Sequence, residues 1–190
     1  MTLASYISCL RIVLIVPIIY LLDLGFRSSV DNEGPTSFYN YLAFVLFVVA
    51  GLTDYLDGYI ARKTDTETQL GALLDLIADK LLVSLVMVWL VYIEMNSLVA
   101  IPALIIVSRE LVISTLRQYV IEKKVKKDLS VSFIGKSKTT IQIIAISTLI
   151  LSKEVTDIWL LAMIAIWFAA IFSLYSLFIY VSEWFKHYLN

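Results

Sequence analysis

Two residue types that build many catalytic and structural sites are nearly absent from this chain of 190 residues. Cys9 is the only cysteine and His187 the only histidine. A single cysteine excludes an internal disulfide and a metal cage of several cysteines. A single histidine leaves no evident Ser/His or Cys/His pair for nucleophilic catalysis.

Charge is also scarce. Only 16% of the residues are charged, whereas 60% are hydrophobic, and there are 6 glycines and 3 prolines. Average soluble proteins have about 25% charged and roughly 45–50% apolar residues, so the apolar excess is more than one core of this size can hide from water. The balance of 15 basic and 16 acidic residues gives no net field that would favour nucleic acid. The composition therefore predicts a membrane protein.

Apolar stretches of about 17–25 residues, long enough to cross a bilayer as helices, recur along the chain. We predict six transmembrane helices in an all-α, polytopic membrane protein. They are Tyr6 to Leu24, Tyr39 to Ala61, Gly71 to Glu94, Leu98 to Ile121, Ser137 to Leu151 and Ile158 to Trp184. The fifth is the shortest.

The segments between these spans indicate a single domain over residues 1–190. The first span continues through Leu24 into Gly25 without a small-x-small cleavage site, so we interpret it as a membrane helix and not as a signal peptide. The polar, turn-rich segment from Arg27 to Phe38 is expected to be the one long loop without helical character.

Basic residues are distributed unevenly across the predicted membrane, and they favour cytoplasmic loops. If the N-terminus is cytoplasmic, only Arg27 and Lys153 of the 15 basic residues lie on the outer side. Six crossings then place both termini in the cytoplasm.

Two pairs of aspartates lie within the second and third predicted spans, and charged side chains cost roughly 2.5–3.5 kcal/mol each at the bilayer centre. Asp54 and Asp57 lie at i and i+3 in the second span, and Asp75 and Asp79 at i and i+4 in the third. Each pair therefore shares one helix face. The polar connection from Arg62 to Gly71 is short, so the two acidic faces are expected to meet.

Four carboxylates in one small volume repel each other strongly unless protons or cations neutralise them. Oxygen ligands suit Mg²⁺, Mn²⁺ or Ca²⁺, and two divalent ions would balance the four charges. An ion-pair network with Arg62 and Lys80 is the structural alternative. Small residues at Gly58, Ala61 and Gly71 leave room for a ligand or for the partner helix.

The spacing of these residues resembles the signature of the CDP-alcohol phosphatidyltransferase family. The match covers Asp54-x-x-Asp57-Gly58-x-x-Ala61-Arg62, then eight residues, then Gly71-x-x-x-Asp75-x-x-x-Asp79. This resemblance implies that the four aspartates bind two divalent cations, Mg²⁺ or Mn²⁺, and that Asp79 is also the general base. It further implies that Gly58, Ala61, Arg62 and Gly71 bind the CDP-linked lipid.

A second group of residues points to the acceptor alcohol. Arg109 and Arg117 lie in the fourth span, and Lys136 and Lys138 open the fifth. Arginines and a helix N-terminus both suit phosphate, so an acceptor that carries phosphate is favoured. Topology and attraction to anionic lipids are the alternative explanation for these charges.

The stretches around Arg109, Arg117 and Lys136 resemble the phosphatidylglycerophosphate synthases of bacteria, from about Leu10 to about Ala145. The resemblance implies transfer of the phosphatidyl group from CDP-diacylglycerol to glycerol 3-phosphate, with Glu110 orienting an arginine. It also implies a bacterial inner membrane, an active site facing the cytoplasm and a homodimer. The sequence departs from members of the family in lacking proline after Asp75 and an Asn/Pro-containing segment before Leu10.

Other functions stay open at this stage. The same chemistry with inositol phosphate or a lipid alcohol as acceptor fits the same motif. A divalent-cation transporter would also need intramembrane carboxylates, although it predicts acidic residues throughout the membrane depth, and here the four lie near one face. A purely structural membrane protein would explain neither the spacing nor the basic residues.

Overall fold

Six long helices make up the computed structural model, which describes residues 3–31, 36–64, 69–122 and 132–188. A short 3-10 turn, Thr156–Ile158, precedes the last helix. The helices are α1 (Leu3–Asp31), α2 (Thr36–Thr64), α3 (Gln69–Glu94), α4 (Ser97–Glu122), α5 (Ser132–Leu151) and α6 (Trp159–Tyr188). Each predicted span falls on a different helix, and the predicted all-α polytopic architecture is confirmed.

Five of these helices contain apolar segments long enough to cross a membrane. These are Tyr6–Asp31, Thr36–Thr53, Leu76–Glu94, Ser97–Leu116 and Trp159–Ser182, and α5 contributes the shorter apolar segment Ser137–Leu151. The outward surface of the bundle is also apolar, as at Val16 and Phe178, which are 70% and 72% exposed. Such a surface is stable in lipid and unfavourable in water.

The predicted loop from Arg27 to Phe38 is wrong at both ends. Helix α1 continues to Asp31, and α2 already begins at Thr36. The extension of α1 includes an i,i+4 ion pair, in which Arg27 Nε lies 2.8 Å from Asp23 Oδ2. Such pairs stabilise a helix locally, and counting apolar residues does not detect them.

The turn between α3 and α4 is tight. Met95 has a φ of 46°, in the left-handed region that commonly ends a helix. Asn96 then caps α4, because its Oδ1 accepts a hydrogen bond of 3.0 Å from the backbone N–H of Leu98. These two residues reverse the chain, so α3 and α4 are antiparallel.

The six helices pack in a ring in the order α1, α2, α5, α6, α4, α3, and the contact between α3 and α1 closes the ring. Helix α3 also contacts α5 across the ring, whereas direct contact between α2 and α3 is limited within the described residues. The two predicted acidic helices are therefore joined mainly through α1, which packs against both. This order brings α5 beside α2 and α3, and α4 beside α3.

The helix ends opposite the predicted site are joined by polar contacts. Asn40 Nδ2 of α2 donates to Glu154 Oε1 at 2.6 Å, and Lys153 Nζ lies 2.8 Å from Glu94 Oε1 of α3. Gly25 of α1 packs directly on Asn40, where a Cβ would lie 2.3 Å from Oδ1. These contacts fix the relative heights of α1, α2 and α3.

Candidate active site

The positions of the four aspartates follow from the buried series on α2 and α3. Ala43, Phe47 and Ala50 are fully buried on α2, and positions 54, 57 and 61 continue that series by one helical turn at a time. On α3 the buried series Val86, Leu82 and Ala78 continues towards position 75 in the same way. Both sets of aspartate positions therefore lie at one end of the ring, where α2 ends and α3 begins.

Asp79 lines a small cavity between α3, α4 and α5. Its volume is about 10 Å³, close to the space of one water molecule. The cavity is lined by Asp79, Lys80, Val83, Glu110, Lys138, Thr139 and Gln142. The cavity therefore joins a residue of the aspartate motif to residues of the predicted acceptor region, which are far away in sequence.

Glu110 is the central acceptor beside this cavity. Its Oε1 accepts an ion-pair contact from Lys138 Nζ, and the two side chains are only 12% and 6% exposed. Gln142 Nε2, one turn after Lys138, donates to the same oxygen at 3.4 Å, and Arg109 Nη1 does so at 3.4 Å. A single carboxylate therefore connects α4 to the N-terminal half of α5.

The guanidinium of Arg109 points from α4 to α6. Its Nε donates to the backbone oxygen of Ser173 at 3.2 Å, and its Nη2 donates to Ser176 Oγ at 2.7 Å. Arg109 is 5% exposed, and both serines are fully buried. Its donors are thus directed to α6 and to Glu110.

Lys80 connects α3 to α4. Its Nζ donates to Ser114 Oγ, and Ser114 Oγ in turn donates to the backbone oxygen of Glu110 at 2.7 Å. A positive charge next to Asp79 is thereby held by a neutral partner.

The predicted site residues divide into two groups. Gly71, Asp79, Arg109 and Lys138 have described surroundings, and Asp79 and Lys138 line the same cavity. For the others only the helix backbone is described, and their side chains lie outside the described part of the structure. These are Asp54, Asp57, Gly58, Ala61 and Arg62 on α2, Asp75 on α3, Arg117 on α4 and Lys136 on α5. Their roles stay predictions.

Several residues of this region were not singled out from the sequence. Ser114 and Ser176 look like ordinary small residues of apolar helices, yet their hydroxyl oxygens accept hydrogen bonds from Lys80 and Arg109, and Arg109 also donates to the backbone oxygen of Ser173.

The donor set fits a hard divalent cation by its chemistry. Asp79 and the positions of the other three aspartates offer carboxylate oxygens, which Mg²⁺ and Mn²⁺ prefer. Among the side chains that the structure describes, no three acidic, histidine or cysteine residues form a group. Because Asp54, Asp57 and Asp75 are outside that set, their grouping with Asp79 stays a prediction.

Comparison with known proteins adds an independent line of evidence. A family model described as CDP-alcohol phosphatidyltransferase matches residues 1–175. A protein of Haemophilus influenzae is 38% identical over 141 residues, which cover 74% of this chain and 76% of the relative. A protein of Escherichia coli K12 is 37% identical over 150 residues, which cover 78% and 81%. Both relatives are named CDP-diacylglycerol–glycerol-3-phosphate 3-phosphatidyltransferase.

Proposed function

The chain belongs to the CDP-alcohol phosphatidyltransferase family, and from this premise we propose that it transfers a phosphatidyl group from CDP-diacylglycerol to glycerol 3-phosphate. The products are phosphatidylglycerol phosphate and CMP. The observation that carries this proposal is the shared cavity of Asp79 and Lys138. It brings the predicted base and a predicted ligand of the acceptor phosphate to one place.

The proposed metal site consists of Asp54, Asp57, Asp75 and Asp79, which would hold two Mg²⁺ or Mn²⁺ ions. Such ions would supply Lewis-acid stabilisation of the negative charge on the pyrophosphate of the lipid substrate and on the CMP leaving group. Gly58, Ala61, Arg62 and Gly71 bind the CDP-linked lipid. The small residues on α2 let the nucleotide approach the helix backbone, and Arg62 adds a positive charge.

Asp79 takes the proton of the attacking hydroxyl of glycerol 3-phosphate. That hydroxyl oxygen forms a bond to the phosphorus that carries the diacylglycerol, and the bond from this phosphorus to the oxygen of CMP breaks. The transfer is therefore direct and needs no covalent enzyme intermediate. The chain's contribution is to hold the donor, the acceptor and the base in line.

The proposed acceptor-phosphate site comprises Arg109, Arg117, Lys136 and Lys138. Lys138 supports it best, because its ammonium lies at the cavity of Asp79 and an arriving phosphate can replace Glu110 as its partner. Arg109 contributes its positive charge and holds α4 against α6, since its donors are directed to Ser173, Ser176 and Glu110.

The membrane setting of the proposal follows from the helices and the charges. The chain is a multi-pass membrane protein: among its described helices, five are long and apolar enough to cross a membrane, and we propose the shorter apolar helix α5 as the sixth crossing. We place it in a bacterial inner membrane as a single domain over residues 1–190, with both termini and the active site facing the cytoplasm. We also propose a homodimer, for which the exposed apolar face of α6, including Ile164, Phe168 and Ile171, is the candidate interface.

The first test is release of CMP by the purified protein in detergent with CDP-diacylglycerol and Mg²⁺. We expect release to require glycerol 3-phosphate and to be absent with serine or inositol phosphate. Asp79→Asn should lower kcat by at least about 10²-fold, because general-base catalysis contributes roughly 10²–10⁴-fold.

The matched control is Asp23→Asn, which removes a carboxylate from α1 at the opposite end of the bundle. It should keep the kcat of the unchanged chain. Release with a different acceptor would contradict the assignment of glycerol 3-phosphate and keep the reaction class. No release with any alcohol from a folded, Mg²⁺-binding protein would favour the transporter.

A further inference from the structure

Helix α1 buries an arginine in a series of apolar residues. Ile15, Ile18 and Leu22 recur at intervals of three and four residues, which is the spacing of one helix face. Arg11 continues this series towards the predicted active site and is only 1% exposed. Because α1 packs against α2 and α3, this series faces those two helices.

The contacts at the outer end give the height of Arg11 relative to α2. Gly25 of α1 lies against Asn40 of α2, and the two helices run in opposite directions. Arg11 lies fourteen residues before Gly25 in α1, and Asp54 lies fourteen residues after Asn40 in α2. At 1.5 Å per residue, each is about 21 Å along its helix from the contact between Gly25 and Asn40. Arg11 is thus level with the first aspartate of the motif.

The same comparison holds for α3, which is parallel to α1. The rings of Phe26 and Tyr92 have centroids 6.4 Å apart. Arg11 lies fifteen residues before Phe26 in α1, and Ile77 lies fifteen residues before Tyr92 in α3, so each is about 22 Å along its helix from the contact between these rings. Position 77 lies midway between Asp75 and Asp79, so Arg11 is level with both aspartate pairs.

A guanidinium stays charged inside a protein and needs compensating negative charge nearby. In the described ranges of α1, α2 and α3, the acidic residues near this height are the four aspartates. Asp23, Asp31 and Glu94 lie towards the other end of the bundle, and Asp23 and Glu94 pair with Arg27 and Lys153.

We propose that Arg11 is a positioning residue for the aspartate site. Its positive charge holds the acidic ends of α2 and α3 against α1 when no divalent cation is bound. This inference rests on the proposed function, because it takes the four aspartates as one site. It explains how a site with four carboxylates keeps its shape before the metal binds when the described residues of α2 and α3 make few direct contacts with each other.

The test is a set of double-mutant cycles on the full chain in detergent with EDTA, measured as the apparent Tm. Arg11→Met keeps most of the side-chain volume and removes the charge. We expect it to lower Tm by roughly 5–10 °C, as for the loss of one partner of a buried ion pair. The same change should lower Tm by less than half as much in an Asp54→Asn or an Asp75→Asn background. Arg11→Lys should recover part of the loss.

Ile18→Ala is the matched control, since it lies in the same buried series and is fully buried. It should lower Tm equally in the original and the Asn backgrounds, because a cavity does not depend on aspartate charge. Additive effects of Arg11→Met with both Asn changes would overturn the proposal. The Tm measurements use no metal and no substrate, so their result does not depend on the result of the CMP-release assay.

Discussion

Glu110 is a buried carboxylate whose contacts extend over two neighbouring helices. One of its oxygens receives Lys138 and Gln142 from α5 and Arg109 from α4. At this depth a carboxylate or an ammonium alone would be costly, so each charge depends on the other. Glu110 therefore holds Lys138 at the cavity of Asp79 and offsets the desolvation cost of burying its ammonium group.

We expect Glu110→Ala to destabilise the protein by about 3–5 kcal/mol, because it leaves the buried ammonium of Lys138 without its carboxylate. Adding Lys138→Met should restore part of that stability, since it removes the uncompensated charge. The apparent Tm of the single and double variants in detergent measures both effects.

The control for this pair is Glu94→Ala with Lys153→Met, the ion pair at the opposite end of the bundle, where Lys153 is more exposed. A smaller loss is expected there. If Lys138→Met gave no recovery in the Glu110→Ala background, the ion pair would not be the source of the destabilisation.

At the scale of the helices, the site depends on contacts that the motif residues do not make themselves. Arg109 of α4 donates hydrogen bonds to Ser173 and Ser176 of α6. Lys80 of α3 donates a hydrogen bond to Ser114 of α4. At the far end, Gly25 lets α1 approach Asn40 of α2. Since α1 joins α2 to α3, this close contact also sets how the two acidic helices are arranged.

Gly25→Ala should destabilise the protein by roughly 1–3 kcal/mol. The new Cβ would lie 2.3 Å from Asn40 Oδ1, so the Asn40 side chain must move and give up its hydrogen bond of 2.6 Å to Glu154. Thermal unfolding in detergent measures this loss.

A Gly25→Ala, Asn40→Ala double variant distinguishes the cause. The smaller side chain at position 40 leaves room for the Cβ, so the double variant should be no less stable than Asn40→Ala alone. An additive loss would show that the close contact at Gly25 is not what opposes a larger residue there.

At the scale of the whole molecule, the ring of helices brings the basic and acidic residues to one end. The C-terminal part of α2, the N-terminal part of α3, the C-terminal part of α4 and the N-terminal part of α5 meet there. The excess of Lys and Arg near these ends predicts that they face the cytoplasm. In this predicted orientation, a water-borne phosphorylated alcohol and a lipid pyrophosphate would both reach that level.

We expect single cysteines introduced into a Cys9→Ser background to report this orientation. Asn96→Cys, in the turn between α3 and α4, should react with a membrane-impermeant maleimide in intact cells. His187→Cys should react only after the membrane is permeabilised. The reverse pattern would place the site on the outer side and contradict the charge argument.

The sequence alone determined the helical membrane architecture and the aspartate motif. Spans are long apolar segments and the motif has fixed local spacing, so both are properties of short stretches of chain, and the architecture and the family are confirmed. The predicted loop from Arg27 to Phe38 was wrong at both ends, because α1 continues to Asp31 and α2 begins at Thr36. Only the tertiary structure decided the order of the ring, the pairing of Lys138 with Glu110 and the burial of Arg11. Those depend on which helices pack together, and a lipid-exposed face and a buried face are equally apolar in sequence.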